Sequence, residues 1–464
     1  MFRIFRHYVP GSLIALVLVE LNLFWISMYL GVELRVWGNE VLRADLEPLW
    51  PKAIAFTTIM FVSLTSMGLY KNIYREGLEG MILRLGISIV IALAGMSVVF
   101  YLFPSLFLGR GAFAWSFVIA VVSVIVVRVL FHKFVGHETF KRQVLVIGAG
   151  KRAEQFKLLR RKVDQLGYSI QGFVHVSGEQ DVMPEEQVIH LSVPLLEYVT
   201  EHQINEVVVA LEDRRKSFPV GDLLDCKMGG VDVVDVLSFF ERETGKVRLE
   251  TLHPSWLIFS DGFKQAGLQL TLKRAFDVTA CLMILAITWP FMVLATLAIL
   301  IEGRGKGPVL YRQVRVGQNW SMFQVLKFRS MVVDAEKDGA PQWAKKNDAR
   351  VTAVGKFIRR TRIDELPQLF NVLRGDMSFI GPRPERPEFV EQLAEKIPYY
   401  AERHRVKPGI TGWAQIRYPY GASEQDSIEK LQYDLYYVKN YSIFLDCLIL
   451  FQTAEVVLWG EGAR

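Results

Sequence analysis

The chain has 464 residues, of which 51% are apolar, and its formal net charge at pH 7 is +6. This length is enough for about three domains of roughly 150 residues each. The three cysteines are far apart and include no C-x-x-C pair, which argues against a disulfide framework and a cysteine zinc site. The positive charge favours anionic lipid or phosphorylated ligands as partners. No basic helix with interleaved aromatic residues indicates nucleic acid, so none is expected as a partner.

Four apolar segments lie within residues 1–135. A bilayer core needs about 20 mainly apolar residues per helix, so this region is predicted to be a bundle of four transmembrane helices. Nothing near the end of the first segment resembles a signal-peptide cleavage site. The segments are residues 13–32, 53–70, 85–103 and 111–127, and only the first contains a charged residue, Glu20.

Lysine and arginine are concentrated at the N-terminus, in the second connection of the bundle and after its fourth segment. Cytoplasmic loops of membrane proteins carry the excess of these residues. Both ends of the bundle, and everything after residue 136, are therefore predicted to be cytoplasmic.

Residues 136–262 alternate between strand-like and helix-like patterns. The apolar run QVLVI (143–147) precedes Gly148-Ala149-Gly150 and a helical stretch over 153–166, and two further strand patterns follow as SIQGFVHV and EVVVAL. Such alternation predicts a parallel sheet with helices on its faces. We expect a cytosolic, Rossmann-like α/β domain here.

The glycine-rich turn of this domain leaves two interpretations open. GxGxxA after a strand is the dinucleotide-binding fingerprint. However, the second strand ends in His175-Val176 instead of the acid that would hold a ribose, and the chain has no Tyr-x-x-x-Lys pair. A scaffold with regulatory or assembly duties is favoured, and an NAD-dependent nucleotide-sugar epimerase or dehydratase is the alternative.

Residues 278–301 are uncharged and long enough to span a bilayer, at about 36 Å as a straight helix. Pro290 lies in the middle, where proline removes a backbone hydrogen bond and bends a helix. One interpretation is a fifth crossing. The favoured one is a re-entrant helix, 275–301, broken at Pro290, with both ends in the cytosol. It rests on basic residues at both flanks, namely Lys273, Arg274, Arg304 and Lys306.

Two adjacent carboxylates, Asp364 and Glu365, lie in the arginine-rich stretch RIDELPQLFNVLRGDMSFIGPRPE. A helix is predicted over roughly 353–374 with Pro367 in a first turn, which places the pair near a helix N-terminus that favours phosphate. Neighbouring carboxylates can share Mg²⁺ with phosphates, arginine holds phosphate oxygens, and aspartate can attack phosphorus. Spacing alone supports phosphoryl chemistry on a diphosphate and a capped surface helix equally.

Six motifs occur in order over residues 272–464: KRAFDV, GPVLYRQVRVG, KFRSM, the stretch containing Asp364, KPGITGWAQI and YDLYYVKNYSIFLD. With them, this region resembles the catalytic domain of the bacterial sugar transferases, which are monotopic polyprenyl-phosphate phosphoglycosyl transferases. The preceding apolar bundle and Rossmann-like domain are similar to the large members, which initiate exopolysaccharide or O-antigen synthesis. The resemblance implies a mixed α/β catalytic domain over 263–464, at the cytosolic face of the bacterial inner membrane.

The resemblance also implies a two-step reaction. Asp364 would attack the β-phosphorus of a UDP-sugar and release UMP, and undecaprenyl phosphate would then take the sugar phosphate from Asp364. Glu365 would assist through Mg²⁺ or proton handling, so both carboxylates are metal candidates. Pro290 would be structural. The candidate substrate-binding residues are Arg315, Lys327, Arg329, Arg359 and Arg383.

UDP-glucose or UDP-galactose is the expected donor, with an N-acetylated sugar as the other choice. A middle domain without evident catalytic residues hints at a homodimer. The non-enzymatic alternative is a regulatory membrane anchor of a polysaccharide assembly complex. The intact Asp364–Glu365 pair and the GPRP motif argue against that alternative.

Overall fold

The computed structural model of the chain forms two compact units, Tyr8–Thr244 and Gly245–Arg464, with the first residues divided between them. The second connection of the apolar bundle, 71–77, and the second half of the helix predicted over 153–166 lie outside the described residues. The structure describes residues 2–4, 7–9, 11–70, 78–135, 141–158, 168–212, 219–250, 252, 263, 267–333, 350–418, 421 and 423–459.

The first unit begins with two short paired strands and an apolar helix bundle. Four of its helices share one core, which includes Phe24, Phe56, Met96 and Val124. The strands are β1 (Phe2–Ile4) and β2 (His7–Val9), and the helices are α1 (Gly11–Val36), α2 (Glu40–Leu46), α3 (Trp50–Ser66), α4 (Leu78–Leu102) and α5 (Arg110–Val135).

Three of the four predicted spans correspond to helices that are long and apolar enough to cross a membrane: α1, α4 and α5. The predicted span 53–70 instead forms α3, which has 17 residues and ends at Ser66. The turn that follows is buried, and its carbonyl groups accept hydrogen bonds from arginines: Arg84 donates to Met67 O and Arg128 donates to Leu69 O, both at 3.0 Å. These contacts fix the turn where the sequence pattern predicted more helix.

Glu20, the single charge in the first predicted span, is fully buried in the bundle. Arg128 lies 2.7 Å from its Oε1 atom, and the Tyr70 hydroxyl donates to its Oε2 atom at 2.5 Å. A charge inside an apolar bundle is tolerated when it is paired in this way.

The middle of the chain folds into a five-stranded parallel sheet with the order β5-β4-β3-β6-β7. Val144 and Val146 of β3 face one core, whereas Leu145 and Ile147 face the other, so both faces of the sheet are covered. The parallel α/β prediction is confirmed. The elements are β3 (Arg142–Ile147), α6 (Lys151–Glu154), β4 (Tyr168–Val174), β5 (Val188–Ile189), α7 (Leu195–Glu201), β6 (Glu206–Val209), α8 (Val220–Met228), β7 (Asp232–Asp235) and α9 (Val236–Thr244).

The second unit is mixed α/β around a core that includes Cys281, Val372, Trp413 and Leu435. It starts with the long helix α10 (Gly267–Glu302), followed by the antiparallel hairpin of β8 (Leu310–Val316) and β9 (Met322–Phe328). The remaining elements are α11 (Ala353–Arg360), α12 (Gln368–Arg374), β10 (Ser378–Ile380), α13 (Pro387–Lys396), β11 (Gly409–Thr411), α14 (Trp413–Arg417), α15 (Glu424–Lys439) and α16 (Ile443–Trp459).

Helix α10 contains the segment predicted to be re-entrant, but it begins at Gly267 and is continuous through Pro290. The predicted break into two helices is therefore not observed. Proline inside a helix removes one backbone hydrogen bond and crowds the carbonyl group four residues before it, which bends a helix without necessarily ending it. By length and composition α10 can span a membrane.

Both halves of α10 pack on the same unit. Ala280 and Cys281 belong to the main core, whereas Ala295 and Ile299 pack with Phe328 in a second cluster. Between these contacts the helix exposes at least half of each of several large apolar side chains, namely Leu282, Met283, Ile287, Trp289, Phe291 and Leu294.

Candidate active site

The carboxylate pair, Asp364 and Glu365, lies in a single 3₁₀ turn, Ile363–Glu365, between α11 and α12. The helical stretch predicted over roughly 353–374 is therefore divided into two helices, and the pair lies just before the N-terminus of the second, as the position of Pro367 predicted. Arg362 adopts a left-handed conformation with φ of 59°, which ends the helical path after α11. Pro367 cannot donate a backbone hydrogen bond and precedes α12, so α12 starts only after the pair.

Glu365 is held by cations. Arg383 Nη2 donates to its Oε1 atom at 2.8 Å, Lys327 Nζ donates to the same atom at 3.0 Å, and Arg362 lies 3.9 Å from its Oε2 atom. Its side chain is 11% exposed. Burial alone would raise the pKa of Glu365, but Arg383, Lys327 and Arg362 together hold that pKa well below its usual range. Glu365 is therefore ionised at neutral pH.

Asp364 has a different environment although it is adjacent in the chain. It is 8% exposed, and among the described residues its Oδ1 atom has no hydrogen-bond partner. Burial, and then the neighbouring negative charge of Glu365, raise the pKa of Asp364 to about 6. At neutral pH it is mostly an ionised carboxylate with an oxygen that no protein donor occupies, which suits a nucleophile.

Three of the five candidate substrate-binding residues lie at the pair. Lys327 and Arg383 contact Glu365, and the charge of Arg359, in the last turn of α11, offsets part of the rise in the pKa of Asp364. Arg362 is a further cation of the site that was not among the candidates. Its position two residues before Asp364 was visible in the sequence, but its left-handed conformation was not.

The other two candidates have described hydrogen bonds with groups outside the pair, although burial and, to a smaller degree, the charge of Arg315 lower the pKa of Lys327. Arg315 donates to Pro384 O at 3.1 Å and to Glu385 Oε2 at 3.3 Å, so it braces the chain just after Arg383. Arg329 donates to Lys306 O at 3.0 Å, in the turn after α10. Gly307, close to this guanidinium, has a φ of 79°, a left-handed conformation that favours glycine.

The segment that carries Arg383 is fixed by backbone contacts. Gly381 N donates to Thr411 O and Gly409 N donates to Pro382 O, both at 2.9 Å. A Cβ atom on Gly381 would collide with Lys407 O, so the two chains approach this closely only because residue 381 is glycine. The Gly-Pro-Arg sequence thereby places the Arg383 side chain at Glu365.

The carboxylate pair offers oxygen atoms that could bind a divalent cation. Asp364 Oδ1 is buried without a donor, whereas Glu365 Oε1 already accepts from two cations. Within the described residues no group of three or more His, Cys, Asp and Glu side chains could hold a metal ion. The pair therefore fits Mg²⁺ that takes most of its ligands from phosphates and water.

Two glutamate carboxylates lie beside the glycine loop of the middle domain, Gly148–Gly150, where helix α6 begins. Lys151 N donates to Glu212 Oε1 at 2.8 Å, and Glu212 N donates to Glu179 Oε1 at 2.6 Å. A Cβ atom on Gly150 would be 3.3 Å from a carboxylate oxygen of each glutamate. These two carboxylates occupy the position in which a pyrophosphate approaches such a loop.

Residues 268–460 match the family model described as bacterial sugar transferase, and residues 65–217 match that of a CoA-binding domain. The glycine loop does not fit the phosphates of CoA, because Glu179 and Glu212 take their place.

Curated relatives resemble the chain over most or half of its length. A UDP-glucose:undecaprenyl-phosphate glucose-1-phosphate transferase of Escherichia coli (strain K12) is 35% identical over 68% of this chain and 68% of its own. An undecaprenyl-phosphate glucose phosphotransferase of Komagataeibacter xylinus is 35% identical over 69% of this chain and 60% of its own. A UDP-N-acetylgalactosamine-undecaprenyl-phosphate N-acetylgalactosaminephosphotransferase of Aeromonas hydrophila is 44% identical over 52% of this chain and 56% of its own. The chain thus spans little more than half the length of the last two relatives.

Proposed function

The chain belongs to the bacterial sugar transferase family, and on that premise we propose that it transfers a sugar-1-phosphate from a UDP-sugar to undecaprenyl phosphate. The observation that carries the proposal is the asymmetry of the carboxylate pair. Glu365 is held by Lys327 and Arg383, whereas Asp364 keeps a buried oxygen without a donor in the described structure. One carboxylate is thus fixed and the other is available for attack.

In the first step, an Asp364 oxygen attacks the β-phosphorus of the donor. The bond from this phosphorus to the bridging oxygen breaks, and UMP leaves with the bonding electrons. In the second step, a phosphate oxygen of undecaprenyl phosphate attacks the phosphosugar held on Asp364 and frees the carboxylate. Lys327 and Arg383 would bind the phosphate oxygens that gain charge during both displacements, which is where fixed cations accelerate phosphoryl transfer.

Asp364, with Glu365 beside it, would hold the Mg²⁺ ion that we propose as cofactor. When bound, Mg²⁺ would neutralise charge on the diphosphate. The Lys327 and Arg383 contacts keep Glu365 ionised for that purpose, because burial without them would favour its neutral form.

We propose that α10 is re-entrant through a bend at Pro290 within one continuous helix, and that the catalytic unit lies on the cytosolic face of the inner membrane. What supports this is that both halves of α10 pack on one unit while the residues between them are apolar and exposed. Topology reporters fused after residue 304 and at residue 464 should both give cytosolic signals. An extracytoplasmic signal at either position would end this part of the proposal.

A homodimer is also proposed, and mass measurement of the purified protein in a membrane mimic checks it.

The central experiment is UMP release by the purified chain with undecaprenyl phosphate, Mg²⁺ and a panel containing UDP-glucose, UDP-galactose and their N-acetylated forms. Asp364→Ala should abolish both UMP release and labelling of the protein by a donor with radioactive β-phosphate. Glu391→Gln, which changes an exposed carboxylate on α13 of the same unit, is the control and should retain activity. A labelled adduct in Asp364→Ala would show that Asp364 is not the nucleophile.

The NAD-dependent epimerase or dehydratase alternative is not favoured, because Glu179 and Glu212 occupy the phosphate position of the glycine loop. UMP release without any requirement for a nicotinamide cofactor would separate the two functions.

A further inference from the structure

A cluster of buried charges lies outside the carboxylate pair and has no part in the mechanism described above. We call it the buried ion cluster, and it consists of Lys273 and Asp277 of α10, Tyr437 of α15 and Asp446 of α16. All four residues are at most 4% exposed. Lys273 Nζ lies 3.0 Å from Asp277 Oδ1 and 3.0 Å from Asp446 Oδ2, and the Tyr437 hydroxyl is 2.8 Å from Asp446 Oδ1.

Side chains of the buried ion cluster form hydrogen bonds with one short segment, strand β10. Asp277 Oδ1 accepts from Ser378 Oγ at 3.0 Å and from Phe379 N at 3.1 Å. Ile380 O lies 3.0 Å from the Tyr437 hydroxyl and 3.4 Å from Lys273 Nζ, both of which can donate to it. Side chains of the cluster thus contact all three residues of the strand.

Strand β10 depends on these contacts because its own pairing is weak. It has three residues and one partner, β11, in a two-stranded parallel sheet. Isolated two-stranded sheets are at best marginally stable, and parallel pairing is slightly weaker than antiparallel pairing. Phe379 and Ile380 also pack in the main core, but apolar packing is not directional, so the cluster supplies the hydrogen bonds that orient the strand beyond its pairing with β11.

The strand leads directly to the carboxylate pair. Gly381, Pro382 and Arg383 follow Ile380, Arg403 Nη2 donates to Arg383 O at 3.0 Å, and Arg383 Nη2 donates to Glu365 Oε1 at 2.8 Å. A displacement of β10 would therefore move the Arg383 guanidinium relative to Glu365 and to any phosphate bound there.

We propose that Asp277 and Lys273, supported by Asp446 and Tyr437, are positioning residues that place Arg383 for sugar-phosphate transfer. Burying charges is costly unless they are paired and hydrogen-bonded, and this cluster directs its bonds to the strand before Arg383. Because α10 and α16 are both apolar helices, the cluster also links their packing to the active site. The inference rests on the proposed function, since Arg383 is taken to bind substrate phosphate.

The test is a double-mutant cycle on kcat/KM for UMP release, with Asp277→Ala, Arg383→Ala and the combined variant. Misplacing a binding group by about 1 Å can cost up to about 100-fold in rate, so Asp277→Ala should lose about tenfold or more. The combined variant should be no worse than Arg383→Ala alone, because Asp277 acts through Arg383. Losses that multiply across the cycle would overturn the proposal.

Two further variants separate positioning from general damage. Asp277→Asn retains an acceptor for Ser378 and Phe379 and should lose less than about threefold, which is rescue by a conservative change. Lys246→Met removes another ion pair of the same unit, with Glu429 at 2.7 Å, and should show no coupling to Arg383. Equal losses for Asp277→Asn and Asp277→Ala, or coupling for Lys246→Met, would contradict the positioning role.

A readout that does not need activity is amide hydrogen exchange in the full chain. Asp277→Ala should speed exchange in the peptide covering 378–383, whereas Lys246→Met should leave this peptide unchanged. If the unmodified chain releases no UMP from any donor, the proposed function fails, and exchange still decides the cluster. Unchanged exchange at 378–383 in Asp277→Ala would refute the inference even in an active enzyme.

Discussion

Asp364→Asn should change the stability of the protein with a pH dependence that reports the buried carboxylate. The pKa of Asp364 is raised from 3.8 to about 6 in the folded protein, so its ionised form disfavours folding. This cost is fully present above about pH 6 and vanishes below about pH 4, where both folded and unfolded states bind the proton. By proton linkage, the ionised carboxylate lowers the free energy of unfolding by about 3 kcal/mol at pH 7.5 and by about 1 kcal/mol at pH 4.5.

Replacing the carboxylate with an amide removes this cost, although the amide brings its own desolvation penalty. That penalty does not depend on pH, so the difference between Asp364→Asn and the unmodified protein isolates the carboxylate. The variant should gain about 2 kcal/mol more at pH 7.5 than at pH 4.5. For a folding unit of about 200 residues this corresponds to a relative shift in Tm of about 4–8 °C.

The assay is thermal unfolding of the purified chain in the same membrane mimic at both pH values. Glu365 titrates in the opposite sense, with its pKa lowered by Arg383 and Lys327, but it is present in both proteins and its contribution cancels to first order. Glu391→Gln, an exposed carboxylate on α13, should show no relative shift. A Tm difference for Asp364→Asn that is the same at both pH values would refute the assignment of a buried, ionised Asp364.

Three further predictions concern the contacts around the pair and the middle domain. Lys327→Met removes one of the two cations bound to Glu365 Oε1 and should lower kcat/KM for UMP release by about 100-fold; a loss below threefold would exclude a role in transfer. Gly381→Ala should cost about tenfold in the same assay because its Cβ atom would meet Lys407 O, whereas Gly267→Ala, with open space, should have no effect. CoA and NAD should bind the purified chain with Kd above about 1 mM in calorimetry, because Glu212 accepts the Lys151 amide; saturable binding below that would contradict the occupied loop.

The fold followed from the sequence where a pattern is local. The apolar run QVLVI predicted a buried strand, and Val144 and Leu145 do face different cores. The end of α3 at Ser66 was not predictable in this way, because it depends on Arg84 and Arg128, which arrive from other helices to bind the following turn. Helix α10 begins before its predicted start at residue 275. The prediction rested on the uncharged segment, which begins at 278, whereas the helix extends back to Gly267.

The site was predictable in its residue types and less so in its geometry. Lys327 and Arg383 were expected at the pair and lie there, while Arg315 and Arg329 have the same chemistry and are directed elsewhere. The direction of an arginine on a hairpin depends on which carbonyl groups the surrounding turns present, and those turns are distant in sequence. The buried ion cluster was missed for the same reason: Asp277 meets its strand about 100 positions further along the chain.

The pair itself shows how two neighbouring carboxylates acquire different roles. Both are buried, so the local chain gives them similar desolvation; the difference comes from Lys327 and Arg383, which bind Glu365 and leave Asp364 Oδ1 without a donor in the described structure. Environments that separate the pKa values of adjacent groups also separate their tasks. Among the described residues, four cations act on the two carboxylates, namely Arg359, Arg362, Lys327 and Arg383. These four cations exceed the two carboxylates by two positive charges, which matches the two negative charges of a diphosphate diester. The four cations can therefore neutralise a nucleoside diphosphate sugar while Glu365 stays ionised and Asp364 stays free to react.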